Sequence, residues 1–319
     1  MNPKVSVVIA TYNHGQYLIA ALESVLEQTF KDLEVVIVDD GSTDNTAQII
    51  GPYLNNPRVQ YLREDHVGHP AAKNIGIKNC QAPLIAFLDA DDIWLPSKIE
   101  KQIALFEQNP NLGVAFTKRE FIDEQGQKFD RQDYTLYRGK VIEQLFLNNF
   151  VCFSSSMVSR KAFDEHGILD ESIPDNCDYE LWLRIARTFP FDFVDDQLVK
   201  YRTGHANLTQ QGAGNSDRLL MAIQIMDRFL ETNHSKNLIS PEITRQGYAE
   251  TYCHIGQRCQ NISRLQALSY YFKSLSYRPF QTETWFSLAK WLVPRKLQPQ
   301  LKKLYFSLIP SRRGSCQAS

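Results

Sequence analysis

From Val5 to Tyr201 the chain alternates short apolar runs of strand length with apolar residues at helical spacing. Val5 to Ala10 (V-S-V-V-I-A) and Leu33 to Val38 are β-branched runs that predict buried strands. Between them Leu18, Ala21, Leu22, Val25 and Leu26 recur as one helix face, so Gln16 to Gln28 predicts a helix and the whole a βαβ unit. A helix from Asp44 to about Leu54, a strand at Val59 to Leu62, a helix at Ala71 to Asn79 and the apolar run Leu84 to Leu88 continue the pattern. Strands that are apolar throughout, separated by helices, predict an α/β fold: a Rossmann-like, mainly parallel sheet with helices on both faces.

Further along, Ser97 to Asn109 is an amphipathic helix with Ile99, Ile103, Leu105 and Phe106 inward. Strands are expected at Val114 to Lys118, Phe153 to Ser159, Phe191 to Asp195 and Leu198 to Tyr201, with a hairpin turn at Asp123 to Gly126. Short helices are expected at Val141 to Leu147 and Lys161 to Gly167. Near Asp175 another helix starts, and on it Asp178, Leu181, Trp182 and Ile185 share one face; an acid on that face is either a helix cap or functional. From about Gly214 the alternation gives way to helical patterns at Arg218 to Leu230, Pro241 to Cys259, Leu265 to Leu275 and Thr282 to Leu292. The expected organisation is a catalytic domain over 1–212 and a C-terminal α-helical extension over 213–319, in which Ala249 to Pro279 looks like one degenerate helical-repeat hairpin.

Three of the strands end in polar turns: Tyr12-Asn13, Asp39-Asp40 and the acid cluster Asp89, Asp91, Asp92, which Trp94 and Pro96 close. In parallel sheets ligands bind beyond the carboxyl ends of the strands. Crowded carboxylates repel one another and suit a cation, and hard oxygen donors without His or Cys favour Mg²⁺ or Mn²⁺. A solvated loop capping the next helix is the other reading of the same acids. Neither G-x-G-x-x-G after the first strand nor G-x-x-x-x-G-K-[ST] is present, so a glycine phosphate cradle is excluded.

Composition narrows the partners. The 319 residues are 43% apolar and 22% charged, a globular profile, and a net charge of -1 provides no broad footprint for nucleic acid. No stretch reaches the roughly 20 apolar residues of a membrane span, and Met1 to Lys4 leads straight into a strand, so a cytoplasmic protein is expected. The six cysteines form no C-x-x-C pair, which argues against zinc and against a redox dithiol. The tail Lys296 to Arg313 mixes Lys302, Lys303, Arg312 and Arg313 with Leu301, Leu304, Tyr305, Phe306, Leu308 and Ile309. That pattern suits an amphipathic helix on an anionic membrane, such as the inner face of the plasma membrane, and equally a helix packed on its own protein.

Taken in order, T-Y-N at Thr11 to Asn13, V-D-D-G-S at Val38 to Ser42, A-K-N-I-G at Ala72 to Gly76, L-D-A-D-D at Leu88 to Asp92 and D-Y-E-L-W-L-R at Asp178 to Arg184 resemble the family-2 glycosyltransferases, inverting enzymes of the GT-A fold. The resemblance covers about Pro3 to Thr209. It implies a nucleotide-sugar donor, usually a UDP-sugar, with Ala10, Tyr12, Asn13, Asp40, Lys73, Asp89 and Ala90 around it; Tyr12 would stack on the base and Asp40 bond its edge. It implies Mn²⁺ or Mg²⁺ held chiefly by Asp91, with Asp89 near the ribose or the metal, and Asp178 as the base that deprotonates the acceptor hydroxyl of a saccharide or lipid-linked glycan. Arg202, His205 and Trp182 are expected near the diphosphate or acceptor. Departures are Lys73 where the family more often has Arg, Cys177 in place of Glu, Glu180 where Asp is commoner, and a histidine displaced by one residue in Tyr201-Arg-Thr-Gly-His205. Two other readings remain: sugar-phosphate nucleotidyl transfer, for which Thr11 to Gly15 lacks the basic glycine loop, and an inactive nucleotide-sugar-binding scaffold.

Overall fold

The expected βαβ unit forms in the computed structural model as β1 (Val5–Thr11), α1 (Gly15–Leu26) and β2 (Leu33–Asp39). The structure describes residues 3–131, 133–204, 217–232, 237–260, 262–293 and 297. Next come α2 (Thr46–Ile50), running into a 3₁₀ turn at Gly51–Asn55, then β3 (Val59–Arg63), α3 (His69–Asn79) and β4 (Leu84–Phe87). A two-residue strand β5 (Ile93–Trp94) precedes α4 (Lys98–Gln108), and β6 (Val114–Ile122) makes a hairpin with β7 (Lys128–Phe129). The chain continues through α5 (Ile142–Leu147), β8 (Met157–Ser159), α6 (Arg160–His166), α7 (Cys177–Ile185) and β9 (Phe191–Arg202).

Among the described residues nine strands make one sheet in the order β3-β2-β1-β4-β8-β6-β9-β5, with β7 paired to β6. Its first four strands are parallel; β8 is antiparallel to both its neighbours, and β9 runs parallel to β6. Both faces of β1, β2 and β4 are buried, which is why these strands are apolar at consecutive positions rather than alternate ones. Val5, Val7 and Ile9 face one way and join Leu18, Leu22 and Val25 of α1 and Ile99 of α4 in one core cluster. Val8 faces the other way onto α3, where a Cβ on Gly76 would come 2.4 Å from its Cγ1. Each such aliphatic side chain contributes about 1.5–3 kcal/mol by leaving water.

Two expectations change. Phe153 to Ser159 is not one strand: Phe153–Ser155 is a 3₁₀ turn and only Met157–Ser159 pairs. The Ser155 and Ser156 hydroxyls return to the carbonyls of Cys152 and Phe153, satisfying the turn instead of a ladder. Conversely, the two strands expected at Phe191 to Asp195 and Leu198 to Tyr201 are one, because the register with β6 jumps from Thr117–Val194 to Lys118–Gln197 and lets the exposed Asp195 and Asp196 bulge outward.

Contacts divide the chain into two compact units. The first is Met1–Arg131, Leu136–Ile142 and Asn149–Asn207; the second is Gln132–Thr135, Glu143–Asn148 and Leu208–Ser319. In the second lie α8 (Asp217–Glu231), α9 (Pro241–Cys259), α10 (Arg264–Tyr277) and α11 (Thr282–Leu292). Helices α9 and α10 form the expected hairpin: Ser274 Oγ donates to the Ala249 carbonyl at 2.7 Å, and Tyr271 packs so near Gly256 that a Cβ there would meet its Cε1 at 2.6 Å. Phe146, from α5, lies against Phe229 and Tyr248. Among the described residues no helix is long and apolar enough to cross a membrane. The expected boundary at 212/213, His205 and the basic tail Lys296 to Arg313 fall outside the described residues, apart from Leu297.

Candidate active site

The polar turns foreseen after β1, β2 and β4 leave the sheet on one edge. Thr11 is in register with Asp39 and Val8 with Phe87 in parallel pairs, so these strands deliver Tyr12, Asp40 and Asp89 to the same side. Asp40 N–H donates to Thr11 O at 2.8 Å and Leu88 N–H to Val8 O at 3.1 Å, carrying the alignment past the strand ends.

The first two turns are clasped together. Asn13 Oδ1 accepts from Thr43 N at 2.8 Å and Asp44 N at 3.3 Å, while Asn13 N donates to Ser42 Oγ at 2.9 Å. Asp39 is buried; its Oδ1 caps Ser42 N, and its Oδ2 accepts from the Tyr61 hydroxyl at 2.5 Å and pairs with Arg63 at 3.3 Å. Burial first, and then the bond to Asp39, push the Tyr61 hydroxyl up to about 12. The Asp40 carboxylate accepts Val67 N at 2.6 Å and Gly68 N at 3.1 Å and lies 3.2 Å from His66 Nδ1. Tyr12 is 41% exposed, with its ring stacked 4.2 Å from that of His66. Among the described residues three non-glycines have positive φ: Asn13, His66 and Asn176. Two flank Tyr12 in space and the third begins α7, so the backbone strain collects at this edge.

At the end of β4, Lys73 of α3 is 3% exposed and its Nζ sits 2.7 Å from Asp89 Oδ1 and 3.8 Å from the centre of the Phe153 ring. Burial works against ionisation of Asp89, but the Lys73 ammonium and then His69 outweigh it and hold the carboxyl below its usual range. Asp91 and Asp92 are both buried. Burial, then the charges of Asp91 and Asp89, push Asp92 well above the usual carboxylate range. Its Oδ1 accepts from Arg202 N at 2.8 Å, whereas its Oδ2 is buried without a hydrogen-bond partner. Among the described residues no three His, Cys, Asp or Glu side chains converge as a metal cage. One or two carboxylates at this turn, with the orphaned Asp92 oxygen beside them, suit a hard divalent cation that draws its remaining ligands from a bound phosphate and water.

Asp178 is the second residue of α7, half-buried, with Asn176 in the capping position making no side-chain cap. Asn149 Nδ2 donates to Asp178 Oδ2 at 2.8 Å, and Asn149 Oδ1 is buried with no partner. The neighbouring Cys177 thiol lies 4.0 Å from His69 Nδ1. Burial pushes it up to about 12, with Asp178 and Asp89 adding to the effect and Lys73 opposing it, so the start of α7 is within electrostatic reach of the Lys73–Asp89 pair. Glu180 is taken up by Arg184, whose Nε and Nη2 lie 2.6 and 2.7 Å from its carboxylate oxygens. Arg184 also donates to the carbonyls of His166 and Ile168, which ties α7 to the preceding loop.

Two of the residues expected near the diphosphate or acceptor are buried. Trp182 is fully buried between Phe153 and Phe191, with its indole Nε1 lacking a hydrogen-bond partner. Arg202 is 6% exposed, and its guanidinium donates to the backbone carbonyls of Asp91, Asp123 and Glu124, which braces the acid loop. Ala10 is half-buried and Ala90 buried at the ends of β1 and β4. Asn149, His66 and Ser154, which the motifs do not include, also stand at these turns; Ser154 Oγ accepts Asp89 N at 2.9 Å and its carbonyl accepts Trp94 Nε1 at 2.7 Å. The serine run at Ser154 to Ser156 was a visible signal, whereas nothing local marks Asn149.

The model of the family described as glycosyl transferase family 2 matches residues 6–167. An uncharacterized glycosyltransferase of Rickettsia felis is 35% identical over 199 residues, 62% of this chain; the chain spans 33% of that relative's length. S. aureus TarS 1-349 in complex with UDP-GlcNAc superposes with a TM-score of 0.62 at 18% identity, covering 94% of this chain and 86% of that one. The mannosyltransferase PcManGT from Pyrobaculum calidifontis, in complex with GDP-Man and Mn²⁺, does so with a TM-score of 0.55 at 14% identity, covering 97% and 87%. At these identities the structural likeness is one of fold.

Proposed function

The chain belongs to glycosyl transferase family 2, and from that premise we propose that it moves a sugar from a nucleotide-sugar donor, a UDP-sugar, to a hydroxyl of a glycan or lipid-linked saccharide with inversion at the anomeric carbon. The work is cytoplasmic and serves surface polysaccharide synthesis. Two proteins of the same fold hold UDP-GlcNAc and GDP-Man, which supports a nucleotide-sugar donor. The observation that carries the reading is the meeting of three features: the acid cluster at the end of β4, the Lys73 ammonium on Asp89, and a helix start bearing Asp178 within electrostatic reach of that pair.

In this reading Tyr12 offers its exposed face to the base, with Ala10, Asn13 and Asp40 lining the nucleoside side and Ala90 the sugar side. Lys73 supplies fixed positive charge where negative charge develops on the departing diphosphate. Asp91 and Asp89 would hold Mn²⁺ or Mg²⁺, which when bound supplies Lewis-acid neutralisation of the leaving group. Asp178 takes the proton of the acceptor hydroxyl as its oxygen attacks; the new bond forms opposite the breaking one, and the electron pair leaves with the nucleoside diphosphate. Asn149 orients the accepting carboxylate through its 2.8 Å hydrogen bond.

Asp178→Asn is expected to lower turnover by about a hundredfold or more while leaving donor affinity unchanged. Asp91→Asn is expected to abolish metal-dependent donor binding, read as loss of the thermal shift produced by UDP-sugars with Mn²⁺. Full transfer activity in Asp178→Asn defeats the assignment of the base.

A further inference from the structure

The charge of this chain is segregated. From Ile262 to Ser319 there are ten basic residues and one acid, Glu283, whereas the residues before Ile262 carry 25 basic and 35 acidic. A net charge of -1 thus conceals a strongly positive C-terminal stretch joined to a strongly negative remainder.

That stretch also carries the most exposed large apolar side chains among the described residues: Phe280 at 91%, Leu265 at 80% and Ile262 at 73%, followed by Phe272 at 64%. They are not scattered. On α10 the buried Ala267, Tyr271 and Ser274 form the inward face. At about 100° per residue, Leu265 and Phe272 point the opposite way on one line, separated by the exposed Ser269. Ile262 stands just before this line and Phe280 just after it, and Trp285 Nε1 donates to Pro279 O at 2.7 Å, which fixes a half-exposed indole at the same turn. Helix α10 and its flanks, Ile262 to Gln281, hold Arg264, Lys273 and Arg278 and no acid. Nothing in the proposed transfer reaction uses any of these residues.

We infer that the outward face of α10, from Ile262 to Phe280 with Trp285, is a docking surface for an anionic phospholipid bilayer. Leucine, isoleucine and phenylalanine tips enter the headgroup–acyl boundary, the indole sits at the interface, and the basic residues meet the anionic headgroups. A polyanion such as nucleic acid would satisfy the charge but leave the apolar line in water. Each lysine or arginine near an anionic surface contributes about 1 kcal/mol, so Arg264, Lys273 and Arg278 supply attraction and the apolar tips supply depth. The inference is independent of which sugar is moved or which residue is the base.

Full-length protein is sedimented with phosphatidylcholine vesicles and with vesicles in which about one third of the lipid is phosphatidylglycerol. Binding is expected to the second kind alone and to weaken in high salt. Phe280→Ser, and Leu265→Ser with Phe272→Ser, are expected to weaken it about tenfold or more, since burying each aromatic or aliphatic tip is worth at least that factor. These side chains are exposed, so the fold is retained, as a far-ultraviolet spectrum checks; the charge reversal Arg264→Glu with Lys273→Glu provides a second route to the same loss. Equal binding to both vesicles, no binding to either, or wild-type binding by all the variants overturns the inference. So does a concentration-dependent dimer that these substitutions dissolve in the absence of any vesicle binding, which would make the occupant a second copy of the chain.

Discussion

The two units use their unusual residues in opposite ways. In the sheet unit, Asp39, Asp40, Lys73, Asp92 and Arg202 are all buried, and most of their polar atoms are held by a neighbouring turn or by each other. In the helical unit the large apolar side chains of Phe280, Leu265 and Ile262 face water. Buried charge costs several kcal/mol unless compensated, so the first arrangement persists only where neighbours or a ligand repay it. Exposed apolar tips cost little in an isolated chain but mark a surface that some partner covers. On the two readings proposed above, the contrast separates a unit suited to a small charged ligand from one suited to a large surface.

The sharpest way to test that contrast is at the close approaches each unit depends on. Gly76→Ala would drive a Cβ to 2.4 Å from Val8, and Gly256→Ala one to 2.6 Å from the Tyr271 ring. Each is expected to cost about 1–3 kcal/mol of stability, but only Gly76→Ala is expected to weaken UDP-sugar binding as well, because α3 carries Lys73. Equal loss of donor binding in both, measured by calorimetry, would break the division of labour. Next in size, Asn149→Ala is expected to lower turnover about tenfold, roughly 1.4 kcal/mol, with donor affinity unchanged. In an Asp178→Asn background it should do nothing further, since two residues acting through one group are not additive; an additive loss would make Asn149 merely structural.

The smallest expected effect compares two tyrosine–aspartate pairs. Tyr61 is pushed up to about 12 by burial and Asp39, and Tyr248 is also raised, by burial and then by its bond to Asp227. A tyrosine raised in the folded state keeps its proton while the unfolded chain loses it above the ordinary value of 10. The unfolded state then binds fewer protons, and stability falls as pH rises from 10 toward 12. Urea midpoints across that window should fall less steeply in Tyr61→Phe and in Tyr248→Phe than in the unaltered chain. Parallel slopes would show that neither pair senses pH.

Much of the sheet unit was legible because its elements are local. The apolar runs at Val5 to Ala10 and Leu33 to Val38, and the helical spacing from Leu18 to Leu26, each mark their element within a dozen residues. The acid turns were legible too, since carboxylates at the end of an apolar strand stand out wherever they occur. The four C-terminal helices were read for the same reason. The bulge that joins the two halves of β9 was not, because it depends on register with β6, nearly eighty residues away in sequence. Nor was the burial of Trp182 and Arg202, which depends on the distant elements that pack around them.

The sequence by itself determined which segments become strands and helices, where negative charge concentrates and that positive charge is gathered at the C-terminal end, since hydrophobic period and composition are properties of neighbouring residues. Only the tertiary structure decided that Asn149 holds Asp178, that His66 stacks on Tyr12, that β8 lies between β4 and β6, and that Leu265 and Phe272 are left on the outside. Those outcomes depend on which faces meet when distant segments pack, and burial of one face against another is a property of pairs that no single stretch of chain contains.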